Sequence, residues 1–109
     1  MSDESLIRLC GSGDVEPDGV IAVEAPGLPT LAVFNLDGEF FVTDDLCTHG
    51  AASLADGFVE DGQIECPLHA GRFCIRTGAP TEAPCEEPLR TYEVVRSGDD
   101  VLIRRPPQP

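Results

Sequence analysis

Lysine and tryptophan are absent from this 109-residue sequence, and arginine alone supplies the 7 basic side chains that stand against 20 acidic ones. The net charge is -13. A surface with so few cations is poorly suited to tracking phosphates, so we expect no nucleic-acid or anionic-membrane partner. An acidic surface instead suits a basic protein partner, or it keeps the chain dissolved. Both interpretations stay open from composition alone.

Long apolar runs are also missing, because no stretch approaches the roughly 18 apolar residues that a membrane-spanning helix needs. The chain starts with acidic residues, Asp3 and Glu4, in place of the basic and apolar regions of a secretory signal. We therefore expect a cytoplasmic protein. Its 5 cysteines are odd in number, and a reducing compartment argues against a disulfide framework. Metal binding or redox chemistry is the first use to consider for them.

Helical periodicity is the third absence, since 11 glycines and 10 prolines interrupt any helix longer than a turn or two. Short apolar runs separated by turn residues predict β-strands instead. The clearest runs lie at residues 5–10, 20–24, 30–35, 39–43, 91–96 and 101–104, with shorter ones at 63–65 and 72–76. The sequence therefore predicts a single all-β domain over residues 1–109.

Turn signals connect these runs. Asp37 and Gly38 supply the positive φ angles that a tight hairpin between the third and fourth strands requires. Residues 97–100 predict a second hairpin near the end of the chain. Residues 44–87, which lie between the two hairpins, are rich in glycine, proline, cysteine and histidine, and loops of this kind often carry function. The tail at 106–109 is predicted to be disordered.

Both histidines of the chain lie within three residues of a cysteine, in C-T-H at 47–49 and C-P-L-H at 66–69. Two thiolates and two imidazoles on two loops can converge on one metal centre, which makes Cys47, His49, Cys66 and His69 the candidate ligands. Zinc fingers pair like ligands within each short spacing, whereas each spacing here is mixed. A mononuclear zinc site is therefore mismatched, although it stays open as an alternative.

This arrangement resembles the Rieske iron–sulfur proteins, whose motif is C-x-H followed by C-x2-H. The resemblance implies an antiparallel β-sandwich with a small cluster-binding subdomain that two loops form, here at about residues 44–87. It also implies one Rieske-type [2Fe–2S] cluster per chain. In that family two cysteines bind one iron and two histidines bind the other. Carried over, Cys47 and Cys66 hold the inner iron, and His49 and His69 hold the outer iron.

The mixed ligand set has a consequence for charge. Two ferric ions, two sulfides and two thiolates sum to a neutral cluster, whereas four thiolates leave it negative. An electron enters a neutral cluster more easily, which fits the Rieske range of roughly -150 to +300 mV against about -400 mV for plant-type ferredoxins. Rieske proteins of cytochrome complexes add a disulfide and two hydroxyl donors near the cluster. This sequence lacks the disulfide cysteines and the hydroxyl donors at the matching positions. We therefore expect a reduction potential near the low end of the Rieske range.

The segment at 66–78 resembles the C-x-L-H-x-G-x-F-C-x-R-T-G segment of biphenyl-type ferredoxins, which belong to bacterial aromatic-ring-hydroxylating dioxygenase systems. The resemblance implies an electron carrier and not an enzyme. Such a carrier takes one electron at a time from an NAD(P)H-dependent flavoprotein ferredoxin reductase and passes it to the Rieske centre of a terminal oxygenase, as a monomer in transient complexes. Two alternatives stay open: the small Rieske subunit of an assimilatory nitrite reductase, and a structural zinc-binding module.

The other three cysteines are predicted to be packed thiols and not ligands. Cys74 and Cys85 are placed as in the biphenyl-type members, and Cys10 ends an apolar strand. Leu68 and Phe73 are expected to shield the cluster from water.

The acidic residues are unevenly distributed. Residues 37–61 hold seven of them and no arginine: Asp37, Glu39, Asp44, Asp45, Asp56, Glu60 and Asp61. A basic docking surface on a partner would be drawn to this segment, and such attraction suits fast, short-lived complexes. Alternatively, these acidic residues are simply exposed to solvent and bind no partner.

Overall fold

The computed structural model describes residues 6–48, 52–68, 70–83 and 85–105. These residues form eleven β-strands: β1 Leu6–Gly11, β2 Gly19–Val23, β3 Leu31–Leu36, β4 Glu39–Asp44, β5 Phe58–Glu60, β6 Gln63–Glu65, β7 Arg72–Cys74, β8 Pro80–Glu82, β9 Thr91–Tyr92, β10 Val94–Ser97 and β11 Asp100–Arg104. Two short 3-10 turns, Ser12–Asp14 and Leu54–Asp56, are the helical elements of these ranges. The all-β prediction is confirmed. In the same ranges no helix is long and apolar enough to cross a membrane.

The strands form three antiparallel sheets. In order across each sheet they are β1-β11-β10, β2-β3-β4-β9 and β5-β6-β7-β8. The first two sheets enclose one apolar core, to which Ile7, Val42 and Ile103 belong. The third sheet and its loops enclose a second core against the other face of the second sheet. This is the predicted sandwich with an added small subdomain.

Strand β3 joins the two cores. All six of its residues are buried, which is expected of a strand that is covered on both faces. Because successive side chains of a strand point to opposite faces, Leu31 and Val33 pack in the first core. Ala32, Phe34 and Leu36 pack in the second. The strand therefore holds the loop subdomain against the rigid sandwich.

The tight turns confirm one prediction and reveal two missed strands. Asp37 and Gly38 have φ angles of 56° and 91°, as the predicted hairpin requires. The same Asp-Gly signal at Asp61 and Gly62, with φ angles of 54° and 75°, connects β5 and β6. Strand β5 was not predicted from the sequence, although this Asp-Gly signal indicates a strand before it. Strand β8 was also missed, since it begins with a proline and its other two residues are exposed.

The predicted strand at 91–96 is wrong as a single element. Tyr92 pairs with Val42 in the second sheet, whereas Val94 pairs with Ile103 in the first sheet. The chain changes sheets at Glu93, between β9 and β10. Alternation of apolar residues cannot reveal this change, because it records which face a side chain takes and not which strand lies alongside.

The buried phenol of Tyr92 predicts a titration at alkaline pH. Burial, and then a 2.5 Å hydrogen bond donated to Asp44, raise the pKa of Tyr92 to about 12. A raised pKa means that this stabilisation is complete below the unfolded pKa of about 10 and is lost as the pH rises through about 12. Because the chain has 1 tyrosine and no tryptophan, the near-ultraviolet difference absorbance that Tyr92→Phe lacks belongs to this group, and the variant serves as the reference for the absorbance of the cluster. We expect a native midpoint near pH 12, and no transition in Tyr92→Phe. A native midpoint equal to that of the denatured chain would contradict the assignment.

Candidate metal centre

Two loops with matching closure carry the candidate ligands. The Cys47 amide donates to the carbonyl oxygen of Ala52 at 2.9 Å, and the Cys66 amide donates to that of Gly71 at 2.7 Å. In each case the bond joins a cysteine to the residue five positions later. We call residues 47–52 the first ligand loop and residues 66–71 the second ligand loop. Each cysteine thus stands at the base of a closed loop, where its backbone is held in place.

His49 and His69 lie within these loops, outside the residues that the structure describes. Their role as ligands stays a prediction. Cys47 and Cys66 are described, and the structure brings both into the second apolar core.

The two cysteines fit the iron of a [2Fe–2S] cluster. Each is only 2% exposed, and both share the core with Phe34, Ile64 and Phe73. Soft thiolates are the donors that iron–sulfur clusters use. An apolar surrounding keeps water away from the sulfur atoms and sets a low local dielectric, through which a protein tunes a metal site. The donor chemistry and its setting therefore agree with the predicted inner iron.

A third thiol, that of Cys85, is directly beside this pair. It is 5% exposed and belongs to the same apolar core as Cys47 and Cys66. Burial, followed by the neighbouring Cys47, raises the pKa of Cys85 to about 12. The prediction of a packed thiol is confirmed. Its contact with a candidate ligand was missed, and nothing in the local sequence around it signals the contact.

Cys10 and Cys74 have other surroundings. Cys10 is buried in the first core, as predicted. Cys74 is only half-buried, so it is packed less completely than predicted. A hydrogen bond from the Thr77 hydroxyl lowers the pKa of Cys74. Neither Cys74 nor Cys85 is in a disulfide.

Several of the seven acidic residues at 37–61 have partners within the protein. Asp45 is buried, and its carboxylate accepts hydrogen bonds from the Ser53 hydroxyl at 2.5 Å and the Ala55 amide at 2.9 Å. Asp44 accepts the bond from Tyr92, and Glu39 forms a 2.9 Å ion pair with Arg76. Because Asp45, Asp44 and Glu39 have these partners, fewer of the acidic side chains at 37–61 are available to contact a docking protein. Exposed acids near the first ligand loop include Asp56, Glu86 and Glu87, the last of which accepts a bond from Thr48 through its carbonyl oxygen.

The Asp45 carboxylate holds Ser53 and Ala55, which follow the first ligand loop, and its loss should destabilise the protein. We expect Asp45→Asn to lower stability by about 2 kcal/mol, because an amide cannot accept both bonds as a carboxylate does. The midpoint of thermal bleaching of the visible absorbance measures the effect. Asp56→Asn, which makes the same charge change at an exposed site, should stay near the unmodified protein. Equal midpoints for the two variants would show that the bonds from Ser53 and Ala55 to Asp45 do not stabilise the protein.

Apolar surface is exposed beside both ligand loops. Leu46, next to Cys47, is 61% exposed, and Leu68, next to His69 in the sequence, is 52% exposed. Leu68 is therefore not a core residue, while Phe73 is fully buried; that the two side chains shield the cluster from water stays a prediction. An open cavity of about 380 Å³ adjoins the first ligand loop, lined by Pro29, Thr30, Asp45, Leu46, Ala52 and Ser53.

Comparison with known proteins agrees with this geometry. Residues 5–93 match the model of the Rieske [2Fe-2S] domain family. The ferredoxin component of biphenyl 2,3-dioxygenase from Rhodococcus jostii (strain RHA1) is 43% identical over 99 residues, covering 91% of this chain and 92% of the relative. A ferredoxin of Sphingomonas yanoikuyae B1 superposes with a TM-score of 0.88 at 47% identity, covering 91% of this chain and 97% of that one. A chain in the complex of reduced oxygenase and oxidised ferredoxin of carbazole 1,9a-dioxygenase superposes with a TM-score of 0.86 at 36% identity, covering 92% and 93%.

Proposed function

This chain belongs to the Rieske [2Fe-2S] domain family, and we propose that it carries single electrons from a flavoprotein reductase to a terminal dioxygenase. Its cofactor is a Rieske-type [2Fe–2S] cluster. It is an electron-transfer component of a dioxygenase system and not an enzyme. The observation that carries the proposal is the pair of buried cysteines on two matching closed loops, in a chain 43% identical to a dioxygenase ferredoxin.

The proposed ligands divide between the two irons. Cys47 and Cys66 would hold one iron, and His49 and His69 the other. When bound, a [2Fe–2S] cluster supplies a site that gains and loses one electron. The chain itself positions the two thiolates through the loop closures and excludes water on the inner side. It does so with buried side chains such as Phe73.

The proposed donor is an NAD(P)H-dependent flavoprotein ferredoxin reductase, and the proposed acceptor is the Rieske centre of an aromatic-ring-hydroxylating oxygenase. Exposed Leu46 and Leu68 offer small apolar contacts beside the loops, and exposed acids such as Asp56 and Glu86 lie near the first of them. An apolar centre with a charged rim suits a partner that binds quickly and leaves quickly. We therefore propose a single-domain monomer in transient complexes, working in the cytoplasm where NAD(P)H is available.

Spectroscopy of the purified protein tests the cofactor and its ligands. We expect a brown protein whose dithionite-reduced form has a low-temperature EPR signal with a g average near 1.9, as for histidine-ligated [2Fe–2S] centres. The midpoint potential is expected near the low end of roughly -150 to +300 mV. A colourless, EPR-silent protein that holds zinc and cannot be reconstituted with iron and sulfide would overturn the proposal in favour of a structural zinc module.

A reconstituted electron-transfer chain tests the partners. This protein would replace the ferredoxin in a biphenyl dioxygenase assay that contains that system's own reductase and oxygenase, with NADH consumption and hydroxylated product measured together. We expect both to depend on the added protein. If the protein has the Rieske spectrum but supports neither, and purifies in a stable complex with a nitrite reductase large subunit, the nitrite reductase alternative replaces the carrier.

A further inference from the structure

Thr48 joins the first ligand loop to a segment that carries no candidate ligand. Its hydroxyl donates a hydrogen bond to the backbone carbonyl oxygen of Glu87 at 2.8 Å. Thr48 lies between Cys47 and His49, the two candidate ligands of its loop. The bond therefore holds the part of the loop from which both ligands extend. We call residues 85–89, to which the acceptor belongs, the flanking segment.

The flanking segment is anchored at both ends. The Cys85 amide donates to the carbonyl oxygen of Glu82, the last residue of β8, at 3.2 Å. The Leu89 amide donates to the carbonyl oxygen of Gly78, in the turn between β7 and β8, at 2.8 Å. The side chains of Cys85 and Leu89 are also buried in the second core. The acceptor of the Thr48 bond thus belongs to backbone that is fixed to the third sheet.

The two ligand loops extend from different sheets. The first ligand loop follows β4 of the second sheet, whereas the second ligand loop connects β6 to β7 of the third sheet. One cluster can take ligands from both loops only if the two sheets hold them at a fixed relative position. The bond from Thr48 to the flanking segment crosses this division, because that segment follows β8 in the sheet of the second ligand loop.

We infer that Thr48 is a positioning residue whose hydroxyl fixes the first ligand loop relative to the second. The inference rests on the ligand roles given in the proposed function. Bonds that orient ligand-bearing groups commonly change metal affinity by about 10- to 100-fold when they are lost. The Thr48 bond is exposed to solvent, so water can replace it in the unfolded chain at little net cost. Its effect is therefore expected at the cluster and not in the unfolding of the whole domain.

The rate of iron loss to excess EDTA, followed by visible absorbance of the oxidised protein, tests this role. Thr48→Val keeps the side-chain shape and removes the donor, and we expect the rate to rise about tenfold. Thr48→Ser retains a hydroxyl and should restore the rate of the unmodified protein. Thr81→Val is the matched control, because it removes a hydroxyl that donates to the Gln63 side chain at 2.6 Å, outside both ligand loops. Equal rates in Thr48→Val and either of the other variants would overturn the inference.

Two further measurements separate positioning from a general loss of stability. The EPR lines of reduced Thr48→Val should be broader than those of Thr48→Ser, because a loosened loop spreads the ligand geometry. The urea midpoint of unfolding, measured by circular dichroism, should be the same in both variants. A lowered midpoint in Thr48→Val with unchanged linewidths would overturn the inference.

The loading of the variants is informative in the same way. A cluster present in Thr48→Ser but absent from Thr48→Val would support the inference, whereas its absence from both would overturn it. Because the unmodified protein is measured alongside, these results are distinct from a failure of the proposed function, which would show as an unmodified protein without any cluster.

Discussion

Replacing either His49 or His69 by alanine abolishes the Rieske EPR signal and the visible spectrum of the native cluster. This is the expected result because the chain has 2 histidines, so neither loss can be covered by another imidazole. A methyl group cannot bind iron, and one iron would be left with an open coordination position. Electron transfer to the oxygenase should fall to the level measured without this protein. EPR of the reduced variants, together with iron and sulfide analysis, measures the effect.

Leu68→Ala is the matched control for the histidine variants. Leu68 precedes His69 and is 52% exposed, so its truncation changes the same loop without removing a donor or a core contact. We expect its EPR signal to match that of the unmodified protein. An unchanged Rieske spectrum in either histidine variant would contradict the ligand assignment, which at present rests on the motif.

A methyl group at Gly57 should destabilise the protein strongly. Gly57 lies between the 3-10 turn Leu54–Asp56 and β5, and a Cβ atom there would overlap the carbonyl oxygen of Glu65. It would also lie 3.2 Å from the Leu54 carbonyl oxygen. Both neighbours are backbone atoms, so neither can rotate away. To remove this overlap the backbone of Glu65 would have to move, and Glu65 directly precedes the candidate ligand Cys66.

We expect Gly57→Ala to cost about 3 kcal/mol, the upper end for overpacking, and to lower the midpoint of thermal cluster bleaching by more than about 10 °C. Gly13→Ala is the control, since a Cβ atom at Gly13 has no atom within 4 Å to meet. Its midpoint should stay within a few degrees of the unmodified protein. If Gly57→Ala were as stable as Gly13→Ala, the close approach of Gly57 to the strand before the second ligand loop would be wrong.

Much of the fold could be predicted from patterns among neighbouring residues. The alternation that placed the strand at 39–43 matches β4 Glu39–Asp44, and the turn at Asp37 and Gly38 forms as predicted. These features succeed because strand period and turn chemistry act over a few neighbouring residues. The short spacing between cysteine and histidine in each loop likewise indicated the candidate ligands, because the spacing between two ligands of one loop is a local property of the sequence.

Contacts between distant segments could not be obtained in this way. The sequence by itself determined the all-β class, the hairpins at residues 37–38 and 97–100, and the candidate ligands Cys47, His49, Cys66 and His69. Only the tertiary structure decided that the chain changes sheets at Glu93, that the buried Asp45 carboxylate bonds to residues just after the first ligand loop, and that Cys85 lies in the same core as Cys47. Each of these depends on packing between residues far apart in the chain, and side-chain type and spacing hold no record of which distant segment will lie alongside.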